Sequence, residues 1–171
     1  MSNNIVLIGF MGVGKGSVAR EISSRCDIVN IDSDDIIESM SGLSVKKIFE
    51  QFGESHFRDL ERRVALWMSS SLQDTLISTG GGFFKVESLN KIGTVVLLDA
   101  SFEKIYERIL AHPNAQAKLK KRPLFADLEA ARALYAHRAP LYKEVADVVV
   151  DTTDRTLEDI AQEIITEVIN R

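Results

Sequence analysis

The sequence predicts one three-layer α/β domain, a five-stranded parallel sheet with helices on both faces. Three observations carry that prediction. Short apolar runs recur along the chain, segments of helical periodicity separate them, and the 171 residues hold no internal repeat, low-complexity tract or linker. A chain of that length buries a substantial core. Strands that alternate with helices favour a parallel sheet with right-handed crossovers.

The strand candidates are "NIVLIG" (4–9), "DIVNID" (27–32), "TLIST" (75–79), "TVVLLD" (94–99) and "ADVVVD" (146–151). Continuous apolar runs, with no polar alternation, suit strands covered on both faces. Between them, Phe102, Ile105, Tyr106, Ile109 and Leu110 recur at helical steps behind Ser101 as N-cap. Val45, Ile48, Phe49 and Phe52 form a second stripe, which Gly53 is expected to stop. Trp67 and Met68 read as a helix packing face. A last helix runs through Leu157, Ile160, Ala161, Ile164, Ile165, Val168 and Ile169, opened by a capping box of Thr156 and Asp159. Pro140 is expected to interrupt the helix that carries Arg138. The basic segment 112–125, "HPNAQAKLKKRPLF", breaks the rhythm, and connections that long are commonly functional or mobile.

Bulk properties narrow the function. Hydrophobic residues make up 45% and charged residues 27%, the balance of a globular protein. A net charge of −4 argues against nucleic acid as a partner. No run approaches the roughly 20 apolar residues that span a bilayer, so no membrane partner is expected. The opening Met1-Ser2-Asn3-Asn4 has no basic n-region, and Cys26 is the single cysteine. Both favour a reducing, cytoplasmic home, with Cys26 as a packing residue.

The chemistry begins at "GFMGVGKGS" (9–17). Gly9, Gly14 and Lys15 fit the G-x-x-x-x-G-K phosphate loop, directly after a strand run and directly before a helical pattern. Glycines at 9, 12 and 14 let successive N–H groups turn inward, the helix N-terminus favours anions, and Lys15 reaches the terminal phosphates. Gly12, Val13, Gly14, Lys15, Gly16 and Ser17 therefore form the nucleotide cradle. Gly16 departs from the motif, which wants a serine or threonine hydroxyl for Mg²⁺. Ser17 lies about 100° further round the helix, and so faces the α-phosphate instead.

Downstream, "DSD" (32–34), "FR" (57–58), "STGGG" (78–82), "KRPLF" (121–125), "RAPLY" (138–142) and "DTTDR" (151–155) follow in order. With the loop, these motifs resemble the shikimate kinases, which have the nucleoside-monophosphate-kinase-like P-loop fold. The resemblance spans nearly the whole chain. It implies transfer of the ATP γ-phosphate to the 3-hydroxyl of shikimate, a step toward chorismate and the aromatic amino acids. It also implies Mg²⁺ with the ATP, and a monomer.

The resemblance assigns roles that the residue chemistry suits. Arg58 and Arg138 offer planar forks for the substrate carboxylate. Asp34, at the end of a strand, stands to hold the attacking hydroxyl or accept its proton. Gly80, Gly81 and Gly82 allow backbone to approach the ring, with Gly81 as a substrate contact. Asp32 is implied as the residue orienting Mg²⁺ through water, and Ser78 and Thr79 as the end of a Walker-B-like strand. Arg122 is implied in a mobile lid, over about 112–125, that closes on the transferring phosphate. Arg108 and Arg155 are implied on adenine.

Other readings stay open at this point. Asp34 or Asp35 could serve as the cap of the helix opening "DDIIESM", and Arg58 and Arg138 could be surface helix residues. A nucleotide-binding module that has lost catalysis, or a kinase of another small polyol acid, are the rival functions. The three histidines lack metal-ligand spacing and take no role here. Gly16 predicts an active kinase that needs more Mg²⁺, since this ion keeps several waters and leans on substrate phosphates.

Overall fold

The computed structural model describes residues 3–120 and 123–170. Five strands, β1 (Ile5–Ile8), β2 (Val29–Asp32), β3 (Thr75–Ser78), β4 (Thr94–Asp99) and β5 (Val148–Asp151), form one parallel sheet in the order β2-β3-β1-β4-β5. All five predicted strands are present, one or two residues shorter than the apolar runs except for β4, which matches. Every residue of β1 and β3 is buried, so helices cover both faces at the centre of the sheet. The edge strand β2 is open by contrast, with Val29 68% exposed.

The helices are α1 (Lys15–Arg25), α2 (Ser33–Ser41), α3 (Val45–Ser71), α4 (Leu89–Ile92), α5 (Phe102–Leu110), α6 (Ala115–Lys120), α7 (Leu128–Val145) and α8 (Leu157–Ile164). Their ends follow the predicted caps. Ser101 accepts from Lys104 N–H at 3.3 Å, and Thr156 accepts from Asp159 N–H at 3.1 Å. A π-helical turn, Ile165–Ile169, continues α8. The described residues of segment 112–125 are more regular than its composition suggests, with α6 and the start of a 3₁₀ turn, Pro123–Ala126.

Three expectations need correction. Gly53 has φ 79°, ψ 176°, the break expected of a stop, but the chain resumes helix at once, so α3 is two helical halves meeting at a kink. Pro140 does not end its helix; α7 runs through it. The ring removes one ladder hydrogen bond, while Arg138 and Tyr142 on either side stay buried and hold the two turns in line. Of the pair at 67–68, only Met68 packs inward, and Trp67 is 45% exposed.

Two features fix the ends of the sheet. At its N-terminal end, buried Asn4 donates to the carbonyls of Leu72 and Ile92, both at 2.9 Å, and accepts from Thr75 N–H. At the other end, Phe10 of the loop packs edge-on against Phe102, Phe125 and Tyr135. That cluster ties the C-terminal end of the basic segment to the phosphate loop. Among the described residues no helix is long and apolar enough to cross a membrane.

Candidate active site

Every site residue within the described chain sits at the C-terminal edge of the sheet, where ligands bind in open α/β folds. The loop after β1 turns through Gly9, Gly12 and Gly14 at φ 140°, 87° and 113°. At Gly12 a Cβ would also strike the Ile109 side chain, so the loop lies flush against α5. Lys15 is buried, and its Nζ donates to the carbonyls of Gly9 at 2.6 Å and Phe10 at 3.2 Å. The lysine thus braces the loop it belongs to.

Asp32 ends β2 and caps α2. Its Oδ1 accepts from Asp34 N–H at 2.9 Å, and its Oδ2 from the Ser78 hydroxyl at 2.8 Å. The cap is therefore Asp32, and neither Asp34 nor Asp35 serves as one. Freed from that task, Asp34 turns its carboxylate onto Gly80, where a Cβ would stand 2.7 Å from Oδ1. Burial, then the nearby Asp32 and Glu61 carboxylates, raise its pKa to about 7 against the pull of Lys15.

The Gly80–Gly82 turn gathers the substrate-side residues. Asp34 lies on Gly80. Arg138 donates to the Gly81 carbonyl at 3.0 Å and is only 7% exposed. The Arg58 guanidinium occupies the space where a Gly82 side chain would be. Neither arginine is a surface residue. A side chain at 80 or 82 would displace the charged head that presses on the backbone there.

Sequence reasoning missed three members of this group. Glu61, 1% exposed, accepts from Arg58 at 2.5 Å, and Glu54 grips the same guanidinium from the preceding turn at 2.8 Å. Burial raises the Glu61 pKa even with Arg58 beside it. The signal was available as the i, i+3 and i, i+4 acid spacing around Arg58. Tyr142, the last residue of the "RAPLY" motif and about one helical turn past its arginine, donates to the Gly81 carbonyl at 2.5 Å. Its phenol, pushed up to about 12 by burial, stays protonated for that bond.

Among the described residues, three buried side-chain atoms have no hydrogen-bond partner: Asp34 Oδ1, Glu61 Oε1 and Arg138 Nε. Two acceptors and a cationic donor left open around one glycine turn suit a ligand that brings hydroxyls and a carboxylate. Asp34, Gly80 and Gly81 also line one cleft of about 690 Å³ with loop residues 11–18.

The far wall of that cleft holds the adenine-side candidates. Arg108 donates to the carbonyls of Val13 and Thr152, both at 2.7 Å, and so bridges the loop to the segment after β5. Arg155 is held by Asp151 O at 3.0 Å, Asp159 O at 3.1 Å and Glu163 at 2.5 Å. His112, given no role from sequence, lines the same wall beside Ile109, Leu157 and Ile160. Arg122 lies outside the described residues.

For a metal, the described residues contain no cluster of three or more His, Cys, Asp or Glu able to hold one. Asp32 and Ser78 do stand beside Gly16, where an added Cβ would make only ordinary contacts. Oxygen groups next to open space fit a hydrated Mg²⁺ that leans on phosphates and water.

The comparisons with known proteins agree with this geometry. The family described as shikimate kinase matches residues 11–169. A shikimate kinase of Helicobacter hepaticus is 41% identical over 162 residues, covering 95% of this chain and 93% of its own. One from Caldanaerobacter subterraneus subsp. tengcongensis is 40% identical, covering 95% and 94%. Among solved structures, the shikimate kinase from Acinetobacter baumannii in complex with shikimate superposes with a TM-score of 0.85 at 32% identity, covering 99% of this chain and 94% of that one. The Aquifex aeolicus enzyme gives 0.78 at 32%, covering 98% and 96%. A phosphate loop, a glycine turn loaded with two arginines and an aspartate, and relatives at this identity over nearly full length lead to one conclusion: the chain belongs to the shikimate kinase family.

Proposed function

We infer that this chain phosphorylates shikimate on its 3-hydroxyl, with ATP as donor, in the shikimate pathway. The observation that carries the reading is the convergence of Asp34, Arg58 and Arg138 on three consecutive glycines, of which Gly80 and Gly81, with Asp34, line the cleft of the phosphate loop. A nucleotide-binding module without catalysis has no physical need for that second half of the site. Two arginines, one of them wedged between glutamates, favour an acid substrate over a neutral polyol.

The residues divide the work. Loop amides from Gly12 to Ser17 and the Lys15 ammonium hold the triphosphate and neutralise its charge. Arg58 and Arg138 clamp the substrate carboxylate; Glu54 and Glu61 fix the Arg58 head, so little side-chain entropy is lost on binding. Asp34 accepts the proton of the 3-hydroxyl as that oxygen forms its bond to the γ-phosphorus. The bond from γ-phosphorus to the β,γ-bridging oxygen breaks, and ADP leaves with that electron pair. A carboxylate titrating near pH 7 is well placed for this, ionised enough to accept and basic enough to hold the proton. Asp32 and Ser78 would hold a Mg²⁺ bound with the nucleotide, and it would supply charge neutralisation on the phosphates. Arg108 and Arg155 wall the adenine, and Arg122 is proposed to cover the transferring phosphate from the basic segment.

The test is ADP release measured with and without shikimate, with 31P NMR of the product. ADP formation that requires shikimate and yields a sugar-type phosphomonoester supports the assignment. Turnover indifferent to shikimate refutes it.

A further inference from the structure

Gly16 opens the first turn of α1, and nothing in the packing demands a glycine there. It is not among the positive-φ glycines. A Cβ built on it would meet only an Arg20 guanidinium nitrogen at 3.5 Å and the Ser78 hydroxyl at 3.8 Å, both ordinary contacts. What distinguishes the position is the arginine standing over it. Arg20 is four residues on, and helical side chains lean toward the N-terminus and cover the preceding turn. Its guanidinium makes one long hydrogen bond, to Ser17 Oγ at 3.4 Å.

Arg20, Gly16, Asp32 and Ser78 line the nucleotide cleft and also a second cavity of about 390 Å³ toward α2. These four residues are thus the wall between the two spaces. Asp32, the acid on that wall, already accepts from Asp34 N–H and from Ser78. The donors of Arg20 therefore remain available to a ligand at the loop.

We propose that Arg20 is a phosphate-positioning residue: reaching across the side-chain-free Gly16, its guanidinium carries part of the neutralisation of the triphosphate, so that nucleotide binding to this chain is only weakly coupled to the divalent ion. A guanidinium stays charged at all working pH values and matches phosphate oxygens with two parallel donors. A side chain at position 16 would stand in that approach, and glycine leaves it open. The proposal rests on the reading of the loop as a nucleotide site.

Calorimetric titration with the non-hydrolysable analogue adenylyl imidodiphosphate, in Mg²⁺ and in EDTA, tests it. For the wild-type chain the two dissociation constants are expected to differ by less than about fivefold. Arg20→Ala is expected to weaken binding about tenfold in EDTA, the scale of one charge-assisted hydrogen bond, and about twofold or less in Mg²⁺. Arg20→Lys should recover part of the metal-free loss, since it restores the charge but not the fork. Equal weakening of Arg20→Ala in both conditions, or none in either, overturns the assignment to Arg20. Failure of the wild-type chain to bind the analogue in Mg²⁺ would instead overturn the nucleotide-site reading itself.

Discussion

Asp34 is held where an ionised carboxylate is costly, and that cost has two measurable consequences. Its folded-state pKa, about 7, lies above the ordinary 3.8. Deprotonation is therefore disfavoured in the folded protein. The stability it contributes is fully present below about pH 4 and is lost as pH rises through about 7. Asp34→Asn removes a penalty that acts mainly at higher pH, so its gain in Tm should be larger at pH 8 than at pH 5. The same variant should lose kcat by roughly 10²–10⁴-fold, the scale of a positioned general base, while the wild-type kcat/KM for shikimate climbs through about pH 7. An equal Tm change at both pH values would remove burial as the cause of the shift. At Gly16 the prediction concerns the metal. A serine fits the space, and Gly16→Ser should lower the Mg²⁺ concentration for half-maximal rate about fivefold or more, the worth of one added polar partner. No change in that titration would contradict the account of the position.

At the scale of elements, the glycine turn after β3 and the kink in α3 bring the substrate residues together. Gly82→Ala would push on the Arg58 guanidinium, which is the movable end of a side chain but is clamped by Glu54 and Glu61. The head can shift at small cost to the fold and large cost to the clamp. We expect the KM for shikimate to rise about tenfold, as one charge-assisted contact is lost, with Tm nearly unchanged; steady-state kinetics and a melting curve check both. Gly53 is a different case. Nothing lies within 4 Å of the Cβ it lacks, so a substitution meets only the strain of φ 79°. Gly53→Ala is expected to cost about 1–3 kcal/mol in urea unfolding. It should also raise the KM for shikimate, because the kink aims the half of α3 that carries Phe57, Arg58 and Glu61. Pro140 shows the converse, a residue of breaking character overruled by the buried side chains around it.

Across the whole molecule, what could be read in advance was what local chemistry fixes. The strands β1, β3 and β4 were legible because buried parallel strands are continuous apolar runs, and the caps at Ser101 and Thr156 because their side chains answer specific backbone donors. The order β2-β3-β1-β4-β5 was not, since no residue in one sequence states its neighbour in the sheet. Asp34 was legible as a candidate, but its release from capping was not, because Asp32 and Asp34 compete for one helix end and only the geometry decides. Glu61 and Tyr142 escaped because an acid in a charged helix and a tyrosine in an apolar stripe look ordinary until burial is known. All of these residues serve one arrangement, a small acid held beside a phosphate loop by groups from α2, α3, the turn after β3, and α7. Shikimate binding measured by calorimetry across wild type, Arg58→Ala, Arg138→Ala and Asp34→Asn tests that arrangement most directly. The account predicts that each arginine variant loses at least about tenfold in affinity, while Asp34→Asn still binds and fails to turn over. Arginine variants that bind shikimate as tightly as the wild-type chain would contradict it.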